Sequence, residues 1–211
     1  MESNYFIEET IRKYPQLNPL KPSLADAGER LISCYENGGK VLVCGNGGSC
    51  SDSDHIVGEL MKGFEHPRPL NNSLKEKLTA FGERGHFLAG KLQQGLPAIS
   101  LTTHNSLITA VANDLDASLI FAQQLTGYGK EGDLLIGIST SGNSQNVVDA
   151  IITAKALGLK VIGMTGENGG RMKQYCDILL NVPGTRTFAV QELHLPVYHL
   201  LCKIVENHFF G

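Results

Sequence analysis

The chain has 211 residues, of which 42% are hydrophobic and 18% are charged, and its formal net charge is −3. This composition is that of an ordinary globular protein, and the length is enough to bury a sizeable core. The charged residues form no basic stripe or tail, which argues against a nucleic-acid partner. No apolar run reaches membrane-spanning length, and the amino-terminal segment lacks the apolar region of a signal peptide, so we expect no membrane partner.

The cysteines indicate a reducing compartment. They are scattered at Cys34, Cys44, Cys50, Cys176 and Cys202, and none forms a Cys-x-x-Cys pair. An odd number of unclustered cysteines favours free thiols over a disulfide framework. We therefore expect a cytoplasmic protein.

In chain order, an amino-terminal region (1–38) comes first, with helices predicted over 3–13 and 22–38. Short apolar segments then alternate with helical patterns in which apolar residues recur three and four positions apart. The predicted strands cover residues 41–45, 98–102, 134–139, 161–165 and 178–182. Apolar strands separated by helices are typical of a parallel sheet covered on both faces. We therefore predict a single α/β domain over residues 1–211 with a doubly wound parallel sheet.

Residues 66–97 interrupt this alternation between the helix that follows the first strand and the second strand. We interpret them as a helical insertion, which fits either one helix or two helices broken by glycine. The apolar residues concerned are Leu74, Leu78, Phe81 and Leu88, and the glycines are Gly82 and Gly85. The insertion either covers a site or forms a subunit contact, or it is a solvent-exposed extension without such a role.

The first predicted strand runs directly into a glycine-rich loop, GNGGS, at 45–49. A helix that begins near Ser49 would direct its free N–H groups and the positive end of its dipole at this loop. The loop alone is equally consistent with an anion site and with a plain turn in which Ser49 caps the helix. It is not a dinucleotide fingerprint, because the third glycine would fall at Cys50, and the Gly-Lys-Ser/Thr of a Walker A loop is missing.

The third predicted strand ends in a loop rich in hydroxyl groups. The hydroxyl side chains are Ser139, Thr140, Ser141 and Ser144. Together with N–H groups at a helix start, they are suited to hold a phosphate without a positive charge, and turn chemistry would explain only one or two of them. Ligands of parallel sheets bind beyond the carboxyl ends of the strands, so two such loops predict a phosphorylated ligand. A third glycine-rich turn (165–170) contains Glu167, which would repel phosphate, and is predicted to be structural.

Candidate chemical groups lie on two helical segments. His55 and Glu59 are four residues apart and share one helix face, although such pairs are usually only solvated. Gln191 and His199 are eight residues apart, about 80° around a helix axis. Pro196 lies between them, which predicts that this helix either kinks or begins one residue before the proline.

A further polar pair, Asn113 and Asp114, ends a helical segment at about 105–112. Its side chains are suited to bind sugar hydroxyls, and a helix C-cap explains the pair equally well.

Together, these segments resemble the sugar-isomerase (SIS) domain family, and within it the phosphoheptose isomerases. The segments are CGNGGS (44–49) with Asp52, His55 and Glu59, SLTTHNSLITAVAND (100–114), ISTSGNS (138–144) and QELHLPVYH (191–199). The resemblance covers nearly the whole chain outside 66–95, and the joint order and spacing are highly specific. It implies a five-stranded parallel sheet flanked by helices, assembled as a homotetramer with sites between subunits.

The resemblance also implies residue roles. The substrate and its phosphate would be bound by Asn46, Gly47, Gly48, Ser49, Ser139, Thr140, Ser141, Ser144 and Gln191. Asn113 and Asp114 would line the sugar, and Glu59 and His199 would be the acid–base pair. The metal positions, usually occupied by zinc, are His55, Glu59, Gln191 and His199.

The implied reaction is the isomerisation of sedoheptulose 7-phosphate to D-glycero-D-manno-heptose 7-phosphate through an enediol. Glu59 suits proton transfer between C1 and C2, and His199 suits proton transfer at the sugar oxygens. One alternative is a non-catalytic tetrameric SIS protein, like the regulator that associates with the bacterial replication initiator. Another is an isomerase or sensor for a different phosphosugar, such as an amino-sugar phosphate. The presence of all four metal-position residues favours the enzyme.

Three features depart from the family pattern. The insertion is longer than the usual connection, and Phe188 lies where an aspartate is common, three residues before Gln191. Pro196 interrupts the last helix. The first two departures bear on the identity of the sugar more than on the class of reaction.

Overall fold

A five-stranded parallel sheet forms the centre of the computed structural model, which describes residues 2–211. Its strands are β1 (Val41–Gly45), β2 (Ala98–Ser100), β3 (Leu134–Ile138), β4 (Lys160–Gly166) and β5 (Ile178–Val182). The strand order is β2-β1-β3-β4-β5, so the direction of winding reverses between β1 and β3. The predicted doubly wound, five-stranded α/β fold is confirmed.

Helices cover both faces of the sheet. In the part of the chain that the structure describes, they are α1 (Glu2–Lys13), α2 (Lys21–Glu36), α3 (Gly48–Met61), α4 (Asn72–Thr79), α5 (Gly82–Lys91), α6 (Asn105–Asp114), α7 (Ala122–Tyr128), α8 (Gln145–Ala156) and α9 (Thr187–Phe210). Across residues 2–211, none of them has both the length and the apolar character that a membrane crossing requires.

The core consists of two clusters, one on each face of the sheet. Because side chains alternate along a strand, Val41 and Val43 of β1 pack with α1, α2, α3 and α9, whereas Leu42 packs with α7 and α8 on the opposite face. Every residue of β1 and β3 is buried, which explains why these two strands are continuous apolar segments in the sequence.

The insertion forms the two helices α4 and α5, which pack against each other. The break lies at Gly82, whose φ of +70° is in the left-handed region. Gly85 lies inside α5, where a Cβ would overlap the carbonyl oxygen of Leu78 on α4. The apolar residues do not form one buried face, since 81% of Phe81 is exposed.

Helix α9 is continuous across Pro196, so the second of the two predicted alternatives, a helix that begins one residue before the proline, is wrong. It starts at Thr187, and its face toward the sheet is buried, including Val190, Val197 and Leu201. Tertiary contacts along this face therefore keep both sides of the proline in one helix.

Candidate active site

A polar cavity of about 270 Å³ lies beyond the carboxyl ends of β1 and β3, at the point where the winding of the sheet reverses. It is lined by Asn46, Gly47, Gly48, Ser49, Ile138, Ser139, Thr140, Ser144, Thr187 and Gln191. The first turns of α3, α8 and α9 meet around it. Each helix start has N–H groups without intrahelical partners, so the cavity is suited to an anion such as phosphate.

The GNGGS loop turns into α3 earlier than the sequence predicts. Gly47 is the residue before the helix, with φ of +56°, a conformation that favours glycine. Ser49 lies inside the first turn and is buried, so the interpretation of Ser49 as the helix cap is wrong.

The hydroxyl loop places three of its four predicted side chains at the cavity. The hydroxyl oxygens of Ser139 and Ser144 are 2.9 Å apart. Ser144 precedes α8, but its side chain makes no capping hydrogen bond. Ser141 is exposed, accepts a hydrogen bond from the Asn143 N–H at 3.2 Å and does not line the cavity.

The glycine-rich turn at 165–170, together with the following Arg171, forms hydrogen bonds to the main chain of the hydroxyl loop. The Gly166 N–H donates to the Thr140 carbonyl oxygen at 3.0 Å, and the Arg171 guanidinium donates to the Asn143 carbonyl oxygen at 2.7 Å. The Glu167 carboxylate accepts a hydrogen bond from the Gly184 N–H at 3.4 Å. These contacts agree with the predicted structural role of the turn.

Asn146 is a residue of this site that sequence reasoning missed. Its side-chain amide and that of Asn46 each donate to the other, with N···O distances of 2.8 and 2.9 Å. The pair joins the GNGGS loop to the first turn of α8, although the residues are 100 positions apart. The sequence gives no spacing signal for such a contact.

The predicted chemical groups form a second part of the site, two helical turns from the cavity along α3 and α9. His55 Nε2 lies 3.1 Å from Glu59 Oε1, and the rings of His55 and His199 have centroids 5.0 Å apart. Gln191 instead lies at the cavity, where a Cβ added to Gly48 would be 2.8 Å from its Cδ atom. The structure thus brings His55, Glu59 and His199 together and places Gln191 with the phosphate-suited loops.

Tyr198, which sequence reasoning also missed, orients His55. Its hydroxyl is 3.0 Å from His55 Nδ1 and 3.3 Å from Asp52 Oδ1. Burial raises the pKa of Asp52. Burial, followed by the proximity of His55, lowers the pKa of His199, so this imidazole is neutral at pH 7.

The imidazoles of His55 and His199 and the carboxylate of Glu59 are side-chain types that bind zinc in proteins. His55 Nε2 and Glu59 Oε1 are 3.1 Å apart. Zinc bonds of 2.0–2.1 Å in a tetrahedral site separate two ligand atoms by about 3.3 Å. His199 Nε2 is buried without a hydrogen-bond partner in the described residues. The donor set thus fits zinc chemically, yet across residues 2–211 no three His, Cys, Asp or Glu side chains are grouped to hold a metal ion.

Comparisons with known proteins identify the family. The phosphoheptose isomerase of Clostridium acetobutylicum is 42% identical over 183 residues, which are 87% of this chain and 81% of that protein. The phosphoheptose isomerase of Laribacter hongkongensis is 36% identical over 212 residues, 99% of this chain and 95% of that protein. The chain belongs to the phosphoheptose isomerase family.

Domain and structure comparisons agree with this assignment. Residues 77–166 match the SIS domain. The solved phosphoheptose isomerase of Francisella tularensis superimposes with a TM-score of 0.77 and 36% identity, covering 97% of this chain and 96% of that one. The Neisseria gonorrhoeae enzyme gives 0.74 and 34%, covering 95% of each chain. The family fold is therefore present almost from end to end.

Two residues that the family resemblance assigns to the sugar lie outside the cavity. Asn113 and Asp114 are exposed at the end of α6, where the Asn113 amide donates to Asp114 Oδ1 at 2.8 Å.

Phe188, in the first turn of α9, is 58% exposed and lies 5.9 Å from the Arg186 guanidinium. The start of α9 therefore carries an exposed aromatic ring, and the residue before it, Arg186, carries a cation.

Proposed function

We propose that this phosphoheptose isomerase family member is an aldose–ketose isomerase that converts sedoheptulose 7-phosphate to D-glycero-D-manno-heptose 7-phosphate. The observation that carries the proposal is the arrangement of two sites along α3. Gly48 is at the phosphate-suited cavity, and His55 lies seven residues further, about 11 Å along the helix axis. This separation is comparable to the length of an extended seven-carbon chain with its terminal phosphate.

The cavity would bind the phosphate. Backbone N–H groups at the starts of α3, α8 and α9 and the hydroxyls of Ser139, Thr140 and Ser144 surround it. These groups supply hydrogen bonds and a favourable helix dipole without a positively charged side chain. Gln191 would contact the sugar next to the phosphate, and Ser141 and Ser49 would complete the loops.

Glu59 and His199 would carry out the proton transfers. A carboxylate at Glu59 removes the proton from one of the two carbons and returns it to the other. A neutral imidazole at His199 moves a proton between the two sugar oxygens, which suits the lowered pKa of this residue. His55 and Lys62 flank the Glu59 carboxylate at 3.1 and 3.6 Å, so it is held between two nitrogen groups.

A zinc ion held by His55, Glu59 and His199 would polarise the substrate carbonyl when bound. Gln191, the fourth predicted metal position, lies at the phosphate-suited cavity instead. Glu59 cannot ligate a metal and act as base at the same moment. Elemental analysis of the purified protein should find zinc, with less in His55→Ala. Equal zinc contents, or none in the wild type, would contradict this ligand set.

The decisive experiment incubates the protein with sedoheptulose 7-phosphate, and with shorter ketose phosphates and an amino-sugar phosphate as competitors. NMR in D₂O should show a new aldose phosphate with solvent deuterium at C2. Glu59→Gln should reduce turnover by about 10²- to 10⁴-fold. Glu131→Gln is the matched control, because Glu131 is exposed before β3 at the opposite edge of the sheet. Binding without turnover of any sugar phosphate would favour the non-catalytic SIS protein instead.

We also propose a homotetramer in which neighbouring subunits complete the site. In the single chain, Asn113 and Asp114 do not reach the cavity, and α6 leaves Leu107 and the following Leu115 exposed. Light scattering should give four times the mass of the chain, and a fully active monomer would refute the proposal.

The five free thiols support a location of the protein in the reducing cytoplasm, which cell fractionation would test.

A further inference from the structure

Arg68, in the segment between α3 and α4, is fully buried, which is rare for an arginine. Its guanidinium donates from Nη1 to the Leu60 carbonyl oxygen at 2.6 Å and from Nη2 to the Glu59 carbonyl oxygen at 2.9 Å. The last carbonyls of a helix have no partner within the helix. Arg68 therefore caps the final turn of α3, the turn that carries Glu59.

Glu206 neutralises this arginine and extends the network to α9. Its carboxylate accepts from Arg68 Nε at 2.8 Å and from the N–H groups of Phe64 and Glu65 at 2.7 and 2.6 Å. The ring of Phe64 in turn packs against His199, with centroids 5.4 Å apart. One buried ion pair thus contacts the main chain of Glu59 and the residue that packs on His199.

We propose that Arg68, paired with Glu206, is a positioning residue that fixes Glu59 and His199 relative to each other. Arg68 touches no cavity residue, so it acts through the Glu59 carbonyl and the 64–66 segment. The inference rests on the proposed isomerase function, because it assigns Arg68 to the geometry of that acid–base pair.

The planar guanidinium is needed for this role. It forms one hydrogen bond to each of two carbonyls and one to a carboxylate in a fixed geometry, whereas a lysine ammonium is a flexible point charge. Arg68→Lys keeps the charge opposite Glu206 but cannot hold both carbonyls. The phosphate-suited cavity is at the other end of α3, so phosphate binding should not depend on Arg68.

The test compares wild type, Arg68→Lys and Arg68→Met, with Arg84→Lys as control. Arg84 is an exposed arginine on α5 whose guanidinium lies over the Phe87 ring. We expect kcat to fall about 10- to 100-fold in Arg68→Lys and further in Arg68→Met, since small displacements of catalytic groups have effects of this size. KM, and the Kd of inorganic phosphate measured by calorimetry, should change less than twofold, and Arg84→Lys should keep wild-type kcat.

Arg68→Lys that is folded by circular dichroism and keeps wild-type kcat would overturn the proposal. So would a parallel loss of kcat and of the number of phosphate-binding sites in proportion to unfolded protein, which indicates only a structural role. If the wild type has no isomerase activity, the proposed function fails. The imidazole NMR signals of His199 then test whether Arg68 positions this residue. A shifted signal in Arg68→Lys supports positioning, and an unchanged signal contradicts it.

Discussion

Because Gly48 lies close to the Gln191 side chain, Gly48→Ala should displace the Gln191 amide from the proposed site. An added Cβ would overlap Gln191 Nε2 and would lie 2.8 and 3.1 Å from its Cδ and Oε1 atoms. The φ angle of Gly48 is not in the left-handed region, so alanine is compatible with the backbone. The amide at the end of the Gln191 side chain must move, while the helix start stays in place.

The expected effect follows from the hydrogen bonds that a displaced Gln191 no longer makes. One or two bonds to the substrate, each contributing about 1–1.5 kcal/mol, correspond to about 1–3 kcal/mol in the transition state. Since about 1.4 kcal/mol is a factor of ten in rate, kcat/KM should fall roughly tenfold to hundredfold. Stability should be unchanged or slightly higher, because alanine is a better helix former than glycine.

Gly90→Ala is the matched control, because Gly90 is an exposed helical glycine on α5 with no atom within 4 Å of an added Cβ. It should keep wild-type kinetics and raise the free energy of unfolding by up to about 1 kcal/mol, or roughly 2–4 °C in Tm. The assay is steady-state isomerisation of sedoheptulose 7-phosphate together with thermal unfolding. Wild-type kcat/KM in a folded Gly48→Ala protein would refute the assignment of Gln191 to the substrate.

Two other predictions concern the hydroxyl loop and a buried histidine. Ser139→Ala combined with Ser144→Ala should weaken the binding of an unreactive sugar phosphate by about 2–3 kcal/mol, at about 1–1.5 kcal/mol per lost hydrogen bond, and unchanged calorimetric affinity would contradict the phosphate assignment. Burial lowers the pKa of His194 from 6.5 to about 4. The unfolded chain therefore binds a proton that the folded protein excludes, and the free energy of unfolding should fall as pH decreases from about 6.5 toward 4. Between pH 7 and pH 5 the loss is about 2 kcal/mol, measurable by urea unfolding, and His194→Gln should reduce this pH dependence. An equal loss in His194→Gln would show that other groups cause it.

Local sequence patterns were sufficient for the elements of the sheet. The first strand was predicted at 41–45 and is observed as Val41–Gly45, because a short strand buried on two faces requires an uninterrupted apolar segment. The second strand was predicted to reach residue 102 but ends at Ser100. There the hydroxyls of Ser100 and Thr102 donate to Asp54 Oδ1 at 2.6 and 2.7 Å, a contact to α3 that a local pattern does not contain.

The sequence by itself determined the pieces of the candidate site that depend on near neighbours. Glycines and hydroxyls after two strands predict the cavity, and the spacing of four residues puts His55 and Glu59 on one helix face. Only the tertiary structure decided which distant residues join them. Asn146 meets Asn46 and Glu206 meets Arg68 across 100 and 138 positions, whereas Ser141 stays outside the cavity. The physical reason is that helix and strand periodicity constrains residues within a few positions, while hydrogen bonds across the fold depend on how whole helices and loops are placed around the sheet.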